Sequence, residues 1–209
     1  MHINPDTVSA KDIYKLLTST VTPRPIAWVS TINQKGGVNL APFSFFNIVS
    51  VAPPVLGFSP LLDGNGQRKD TLNNIESTGE FVVNIVGPDT LQQMNQTSAS
   101  YASDINEMAE VGLTEMASCR VSPPSVKEAL VHFECTLHDI VPFGDDPLAG
   151  SLILGSICHI HLDDTVYDGN YVDVTVLDTV GRMEGSCYTR TRDRLELKRP
   201  VSVKTDTGQ

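Results

Sequence analysis

The chain lacks the sequence signatures of several large protein classes. No stretch of its 209 residues approaches the roughly 18 consecutive apolar residues that a membrane-spanning helix needs, so we expect that the protein does not span a membrane. The start, from Met1 to Asp6, lacks the basic-then-apolar layout of a secretion signal, which predicts a cytoplasmic protein. Because no repeat, linker or low-complexity tract divides the chain, we expect one domain over residues 1–200 and a mobile tail over 201–209.

Positive charge is scarce. The chain carries 15 lysines and arginines against 25 aspartates and glutamates, a formal net charge of −10. Binding a polyphosphate requires clustered basic side chains, so we expect no nucleic-acid partner. The same scarcity makes a local basic cluster informative, because a small anionic ligand needs one to overcome the overall field.

Paired cysteines and nucleophile motifs are also absent. The four cysteines form no C-x-x-C pair, which predicts reduced, mostly buried thiols rather than a zinc site or a disulfide framework. There is no G-x-S-x-G motif, and no cysteine carries a signature that pairs it with a histidine. We therefore predict no catalytic side chain. Core packing is the expected role of the single tryptophan, Trp28.

A hairpin is the most distinctive local feature of the sequence. The run from Ile26 to Ile32, rich in β-branched and aromatic residues, leads through Gly36-Gly37 into a second run from Val38 to Val51. Pro42 cannot donate a ladder hydrogen bond, so the second strand must contain an edge or a bulge at this point. Backbone groups beside Pro42 are therefore free to bond a ligand, although loop geometry alone also explains the proline.

The remaining pattern predicts a mainly β protein. Residues 130–141 and 151–162 alternate as two antiparallel strands. Helices are predicted after Ser9, over Thr71–Glu76, after Gly87-Pro88-Asp89 through Leu91 and Met94, and over Tyr101–Met108. Strands with irregular helical insertions, in no regular β-then-α order, indicate a mainly β fold with helical insertions. Closing the sheet into a barrel is one way to remove its edges.

A basic loop precedes the second predicted helix. Gly64-Asn-Gly66 leads into Arg68 and Lys69 just before Thr71. Close backbone approach, free N–H groups at a helix start and positive charge together suit a terminal phosphate. The loop is neither a Walker loop nor a G-x-G-x-x-G motif. A solvated basic face remains the alternative.

Two histidines suggest a metal hypothesis. His159 and His161 lie two residues apart on a predicted strand, so both imidazoles point to the same side, with Asp163 or Asp164 as further ligands. Alternation also explains them as solvent-facing residues with Ile160 on the other face. We therefore assign no metal site from the sequence.

Three blocks taken together resemble the flavin reductase-like family, whose members carry an FMN-binding split β-barrel and include flavoredoxins and ferric or flavin reductases. The blocks are Arg24–Thr31 with Gly37–Asn47, Arg68–Ile75 with Glu80–Ile85, and Gly181–Arg190. They span nearly the whole chain in the family's order. The resemblance implies that the fold is an FMN-binding split β-barrel.

The resemblance also implies a set of cofactor-binding residues. The candidates beside the flavin ring are Ser30, Thr31, Asn39, Ala41, Ser44 and Asn47. The candidates for the phosphate are Arg68, Lys69 and Thr71, with Asp70 capping the helix or orienting a neighbour, and Tyr188 and Arg190 are expected to close over the cofactor. Contacts from Asn65 and Gln67 stay open, because this loop varies in the family.

The implied activity is that of an FMN-dependent NAD(P)H oxidoreductase. By resemblance, FMN accepts a hydride from NADH or NADPH and passes electrons to free flavin, ferric iron or another small acceptor. Members of the family are usually homodimers, and an exposed sheet edge gives a physical reason to pair. An FMN-binding carrier or sensor without turnover is the alternative, and a metal-dependent enzyme built on His159 and His161 is a third interpretation.

Overall fold

The computed structural model describes residues 1–200, so the predicted mobile tail over 201–209 lies outside the described residues. The helices are α1 (Ala10–Thr20), α2 (Asp70–Thr78), α3 (Leu91–Gln96), α4 (Glu107–Glu110) and α5 (Val174–Leu177). The strands are β1 (Arg24–Pro25), β2 (Ala27–Ile32), β3 (Val38–Phe43), β4 (Phe46–Val51), β5 (Pro54–Phe58), β6 (Glu80–Ile85), β7 (Glu115–Met116), β8 (Ser125–Val126), β9 (Val131–Pro142), β10 (Ser151–Leu162), β11 (Val180–Arg182) and β12 (Tyr188–Arg190). Within this part of the chain, no helix combines the length and apolar composition needed to cross a membrane.

One antiparallel sheet of seven strands dominates the molecule, in the order β3-β2-β6-β9-β10-β5-β4. Its two edge strands are consecutive in the chain, because only Ser44 and Phe45 separate β3 from β4. The Cα atoms of Phe43 and Phe46 can therefore be at most about 11 Å apart. The sheet must curl until its two edges meet at this corner, which makes a barrel that is open along the β3–β4 seam. The predicted mainly β fold is confirmed.

The inward face of the curled sheet forms one apolar core. Phe58 lies at its centre, with ring centroids 5.1 Å from Phe43 and 5.6 Å from Phe81. Leu72 and Ile75 of α2 join the same core cluster. Because each large side chain buried here stabilises the fold by about 1.5–3 kcal/mol, α2 is held firmly against the barrel.

The opposite face of β2 is covered by the segment between α3 and β9. Trp28 is fully buried there with Met94 and Met108, and its indole N–H donates a hydrogen bond to Thr97 Oγ1 at 2.9 Å. Trp28 is thus a core residue, as predicted. Its bond also fixes the start of the irregular segment that follows α3.

The predicted hairpin is confirmed in its first half only. β2 pairs with β3 in register from Ala27–Phe43 to Ile32–Val38, and Pro42 lies on an edge strand. The second run does not continue as one strand to Val51. It divides after Phe43 into β3, which pairs with β2, and β4, which pairs with β5. The bend after Phe43 is what opens the seam.

Three of the four predicted helices match the structure, including α3, which follows Pro88 as predicted. Ser9 caps α1 by accepting the N–H of Asp12, and α2 ends at Gly79, which has the left-handed φ of +73°. The helix predicted over Tyr101–Met108 is wrong. Only Glu107–Glu110 is helical, because the Asn106 side chain accepts the N–H groups of Met108 and Ala109 and starts the helix there.

The cysteines also differ from expectation. Cys135 is buried in the barrel core, whereas Cys119, Cys158 and Cys187 are exposed. The exposed three lie in a loop, at a β-bulge and in a turn before β12. The prediction that the thiols are mostly buried is therefore wrong.

Candidate functional site

The start of α2 opens on a cavity of about 280 Å³. Lys69 is the N-cap residue of this helix, but no side chain of residues 1–200 accepts a hydrogen bond from the first turn. Asp70 stands at the first helical position, so it does not cap the helix as predicted. The N–H groups of Leu72 and Asn73 bond the Lys69 carbonyl, so the N–H groups of Asp70 and Thr71 are the ones left without a partner among residues 1–200. The cavity therefore meets free donors and the positive end of a helix dipole.

Two basic side chains flank that helix start. Arg68 forms a partly exposed ion pair with Glu76 at 2.8 Å, and Lys69 makes no ion pair within residues 1–200. Thr71 is buried, and its Oγ1 accepts a hydrogen bond from Asn39 Nδ2 at 3.0 Å. That bond ties the edge strand β3 to the first turn of α2. Positive charge and hydrogen-bond donors are thus concentrated at this end.

A second cavity, of about 260 Å³, continues from the first. The two share Pro42 and Ser98 in their walls, and we call them together the groove. Ala41 and Asn39 line its first part, while Ser44 and Tyr188 line its second part. The combined space falls within the roughly 300–1,000 Å³ that is usual for small-molecule sites.

Carboxylates also face the basic part of the groove. The N–H groups of Gln67 and Asn65 hold the pKa of Asp63 below its usual value, which leaves that carboxylate engaged in its own loop. Burial raises the pKa of Glu107, an effect partly offset by the N–H of Leu40, which bonds Glu107 Oε2 at 2.9 Å. Glu107 thereby closes the edge of β3 and becomes neutral more readily than an ordinary glutamate.

Residues distant in sequence build the second part of the groove. The Arg182 guanidinium lies 4.6 Å from the centre of the Tyr188 ring, and the Tyr188 hydroxyl donates to Asn95 Oδ1 at 2.9 Å. Arg24 reaches Ser44 Oγ through its Nε at 3.3 Å and is itself buried against carbonyls of α1 and of Met183. Burial lowers the pKa of Arg24. Pairing of β1 with β11 brings these elements together.

The family model for the flavin reductase like domain matches residues 19–177 of this chain. The chain belongs to this family. The matched span contains both strands beside the groove and the whole of α2, whereas Tyr188 and Arg182 lie beyond its end.

Known proteins resemble this flavin reductase-like chain over nearly its full length. An uncharacterised protein of Bacillus subtilis, YwrF, is 40% identical over 93% of this chain and 97% of its own. Nitrilotriacetate monooxygenase component B from Bacillus cereus superposes with a TM-score of 0.89 at 35% identity, over 94% of this chain and 98% of that one. The 2-nitrobenzoate 2-nitroreductase NbaA of Pseudomonas fluorescens superposes with a TM-score of 0.88 at 30% identity, over 99% and 100%.

The fold of this family member is the split β-barrel that the sequence predicted, since split-barrel domains are among the solved structures it matches. The family and these neighbours support flavin binding and a flavin-related oxidoreductase role. That role agrees with the shape of the groove. At one end the start of α2 suits a phosphate, and at the other a cavity is lined by residues of β3 and by Tyr188.

Not every predicted site residue of this flavin reductase-like domain faces the groove. Ser30 and Thr31 are fully buried: Ser30 donates to the Pro124 carbonyl at 2.6 Å, and Thr31 accepts from Asn74 Nδ2 at 3.0 Å. Asn47 is exposed on β4 beside a different cavity. The side chains of Ser30 and Thr31 hold the barrel together, so any contact that these two residues make with a ligand must come from their backbone.

Arg190 also lies away from the groove. It forms an ion pair with Asp178, a residue 2% exposed that also pairs with Arg192 at 2.8 Å. These arginines hold the pKa of Asp178 below its usual value. Arg190 lines two other cavities instead. Its observed contacts are those of a residue that anchors the end of the described chain.

Sequence reasoning missed several groove residues. The irregular segment after α3 contributes one wall of the groove, made of Thr97, Ser98, Ala99, Ser100 and Tyr101. Helices α1, α3 and α4 and strand β11 each contribute a further residue, which are Tyr14, Asn95, Glu107 and Arg182 in that order. Gln67 lines the groove and Asn65 does not, which settles where the structure places the loop that the sequence left open. No motif marks these positions. Only the carboxylate of Glu107, buried opposite a basic pair, is chemically unusual.

The two histidines of the metal hypothesis lie on one face of β10 but have different partners. His161 stacks edge-on against His132, with ring centroids 5.1 Å apart, whereas His159 lies opposite Glu134. Burial, followed by the nearby His161, lowers the pKa of His132 to about 4. Ile160 is 49% exposed, so the expected alternation with an apolar inner face does not hold here.

Proposed function

We propose that the protein binds FMN along the groove, with the phosphate at the start of α2 and the flavin ring beside β3. The observation that carries this proposal is a helix start without a side-chain cap, flanked by Arg68 and Lys69, opening into the same groove as the edge strand β3. A dianionic phosphate satisfies both the basic side chains and the free N–H groups. A flavin without a phosphate would leave those groups unused.

The other end of the groove suits the ring. Asn39 and Ala41 lie on the edge strand. Glu107 already bonds the N–H of Leu40, and Pro42 has none, so this part of β3 offers side chains and carbonyls rather than backbone donors. Ser44 and Tyr188 stand further along. Tyr188 is held by its bond to Asn95 and by Arg182, so its ring keeps a defined position beside the ligand. The protein's part is to bind and orient the ring and to limit water at its edge.

We propose further that the protein is an FMN-dependent NAD(P)H oxidoreductase. Bound FMN supplies the hydride and electron transfer itself, and no side-chain acid or base is required of the chain. Electrons from NADH or NADPH pass to a small acceptor, such as free flavin or ferric iron. The proposal is supported by the monooxygenase component and the nitroreductase that the chain resembles. A cytoplasmic location stays a prediction.

The absorbance spectrum of the purified protein tests the cofactor. We expect flavin bands after purification or after reconstitution with FMN, and tighter binding of FMN than of riboflavin because only FMN carries the phosphate. A protein that takes up neither flavin contradicts the proposal. Equal affinity for FMN and riboflavin contradicts the assignment of the phosphate to α2.

Turnover is tested separately by stopped-flow mixing of the FMN-loaded protein with NADH or NADPH. An oxidoreductase bleaches the flavin absorbance rapidly and recovers it when ferric iron or free flavin is added. A protein that binds FMN but is bleached by neither nucleotide is a carrier or sensor instead.

A homodimer is the proposed assembly, and the edge strand β4 is its proposed contact. Ile48, Val49 and Val51 are 68%, 53% and 83% exposed on this strand. Leu17 and Val21 add apolar surface at the end of α1. An apolar, unpaired sheet edge is unfavourable in a monomer, and a second copy can cover it.

Sedimentation of the wild-type chain and of the Ile48→Glu/Val51→Glu variant tests this assembly. We expect a wild-type dimer and a variant shifted to monomer, because two charges cannot be buried unpaired in an apolar contact. Tyr171→Glu, a substitution at a residue 79% exposed elsewhere, is the matched control and should stay dimeric. A monomeric wild type contradicts the proposal.

A further inference from the structure

A second group of polar residues lies outside the groove, on one face of the β9–β10 pair. His132 stands opposite His161, and Glu134 stands opposite His159. None of these four residues lines the groove. They form two adjacent cross-strand pairs on the same face of the sheet, since residues two apart on a strand point the same way.

A β-bulge creates this arrangement. The register shifts between Ile157 and His159, so Cys158 is an extra residue on β10. Without the bulge, His159 would lie opposite Phe133, whose side chain packs against the barrel core. A shift of one residue moves a side chain to the other face. The bulge therefore brings His159 to the face that carries Glu134.

Cys119 completes the cluster from the loop that precedes β8. Among the described residues, one Sγ, one carboxylate oxygen and one imidazole nitrogen, from Cys119, Glu134 and His159, lie within 4.8 Å of one another. Cys119 is exposed, and its backbone N–H donates to Glu134 Oε1 at 2.8 Å. That bond holds the thiol beside the carboxylate.

No cationic side chain of the described residues pairs with the central carboxylate, that of Glu134. Glu134 is 2% exposed and forms no ion pair within residues 1–200. Both its oxygens are oriented by backbone donors, Oε1 by Cys119 and Oε2 by Arg120 at 2.6 Å. Buried charges in proteins are usually paired or coordinate a metal. Each oxygen keeps a second lone pair that a cation can use.

We propose that Cys119, Glu134 and His159 bind a zinc-like divalent cation. Thiolate, imidazole and carboxylate are the ligands that zinc takes in proteins, and three of them leave the fourth position for water. Bonds of about 2.0–2.3 Å in a tetrahedral site place ligand atoms roughly 3.3–3.8 Å apart, so the cluster must contract by about 1 Å. The exposed Cys119 loop can supply that movement.

The bound cation fastens the loop around Cys119 to strands β9 and β10. In the described structure the loop is tied to Glu134 by two backbone hydrogen bonds. A cation adds direct bonds to Cys119 and His159 and neutralises the buried charge. Metal binding that favours the folded state raises the temperature of unfolding.

Titration of the tag-free, chelator-treated full chain with Zn²⁺, and separately with Co²⁺, tests the site. We expect one ion per chain, a thiolate-to-cobalt absorption band and a higher unfolding temperature with Zn²⁺. Cys119→Ser and His159→Ala should each weaken binding at least about tenfold, since even indirect partners of a metal contribute about 10–100-fold. The cobalt thiolate band should vanish in Cys119→Ser.

Cys187→Ser and His161→Ala are the matched controls, because they remove an exposed cysteine and a neighbouring histidine that lie outside the cluster. Both should bind Zn²⁺ like the wild type. Absence of stoichiometric binding overturns the proposal, as does binding that survives Cys119→Ser and His159→Ala unchanged. FMN absorbance is recorded for each variant, so that loss of folding is recognised separately from loss of the metal.

Discussion

The two ends of the groove are built in different ways. The basic end comes from four consecutive residues, Arg68 to Thr71, placed at the start of one helix. The other end combines Ser44 from the seam, Asn95 from α3, and Arg182 and Tyr188 from the β11–β12 region. The charge and hydrogen-bond donors of the first end thus come from one local structure, whereas the second end exists only because distant segments meet.

This difference predicts unequal sensitivity to substitution. Charge and free N–H groups at the basic end act directly on an anionic ligand and give strong, charge-assisted hydrogen bonds. The other end has one cationic side chain, Arg182, which lies against the Tyr188 ring, and its remaining contacts are neutral and partly exposed, so each is worth less. Effects on FMN affinity should therefore fall from the helix start toward Tyr188.

The largest effect is expected for Arg68→Ala/Lys69→Ala. Hydrogen bonds to charged groups contribute about 1.5–3 kcal/mol each, so losing both should weaken FMN binding by about 3 kcal/mol or more, on the order of 100-fold. Fluorescence titration of the variant with FMN measures this. Lys35→Ala/Lys127→Ala removes the same charge from two exposed positions outside the groove and should bind normally. Unchanged affinity in the first variant would falsify the phosphate assignment.

A smaller effect of opposite sign is expected for Glu107→Gln. The glutamine keeps an oxygen for the Leu40 N–H but removes a negative charge from the groove. FMN should bind about fivefold more tightly at pH 8, roughly 1 kcal/mol for two like charges in the same site. Glu110→Gln, an exposed substitution on the same helix, should change nothing.

The same variant gives a pH test. Burial raises the pKa of Glu107, so ionising this carboxyl costs folding free energy. That cost is absent below the ordinary glutamate pKa and grows as the pH rises through the raised value. The stability advantage of Glu107→Gln over the wild type should therefore appear at high pH and shrink in acid. Denaturant unfolding at several pH values measures it, and an advantage that grows in acid contradicts it.

Tyr188→Phe should have a modest effect. The substitution removes the hydroxyl that bonds Asn95 but keeps the ring beside Arg182. A net loss of about 0.5–1 kcal/mol, or roughly threefold in FMN affinity, is expected for a partly exposed hydrogen bond. Tyr167→Phe, which removes a hydroxyl bonded to the Gly169 carbonyl, is the control. A loss as large as that of the arginine–lysine pair would show that the two ends are equally important.

Arg190→Ala should leave FMN affinity unchanged within about twofold while lowering stability only slightly, because the arginine is partly exposed and Asp178 keeps its second arginine. Thermal unfolding measures that decrease. Arg192→Ala removes the second partner and should lower stability similarly. A tenfold loss of FMN affinity in Arg190→Ala would mean that this residue reaches the cofactor.

The parts of the site that the sequence predicts correctly are those in which residues adjacent in sequence are also adjacent in space. Arg68 to Thr71 could be predicted because a helix start places consecutive residues around one point. Pro42 likewise predicts an edge strand wherever it lies, because it has no N–H. The predicted capping position of Asp70 is wrong by one residue, since whether a residue is N-cap or first helical residue depends on backbone angles that the sequence pattern does not specify.

The rest depended on contacts between distant segments. Nothing near Glu107 in sequence indicates that its carboxylate bonds the N–H of Leu40. The predicted helix over Tyr101–Met108 also places Glu107 near the end of a helix, whereas in the structure it is the first residue of α4. The partner of His159 was equally hidden, since a one-residue bulge at Cys158 decides which face the imidazole occupies. Local patterns carry no information about such register shifts.

By itself the sequence determined the two long strands β9 and β10, the edge proline, the Ser9 cap of α1 and the basic cluster, because each is a property of adjacent residues. Only the tertiary structure decided that β3 and β4 part at a seam, that Tyr188 meets Arg182 at the groove, and that Cys119 meets Glu134 and His159. The physical reason is that a curled sheet brings residues together through hydrogen-bond register and packing, which are set by the whole chain.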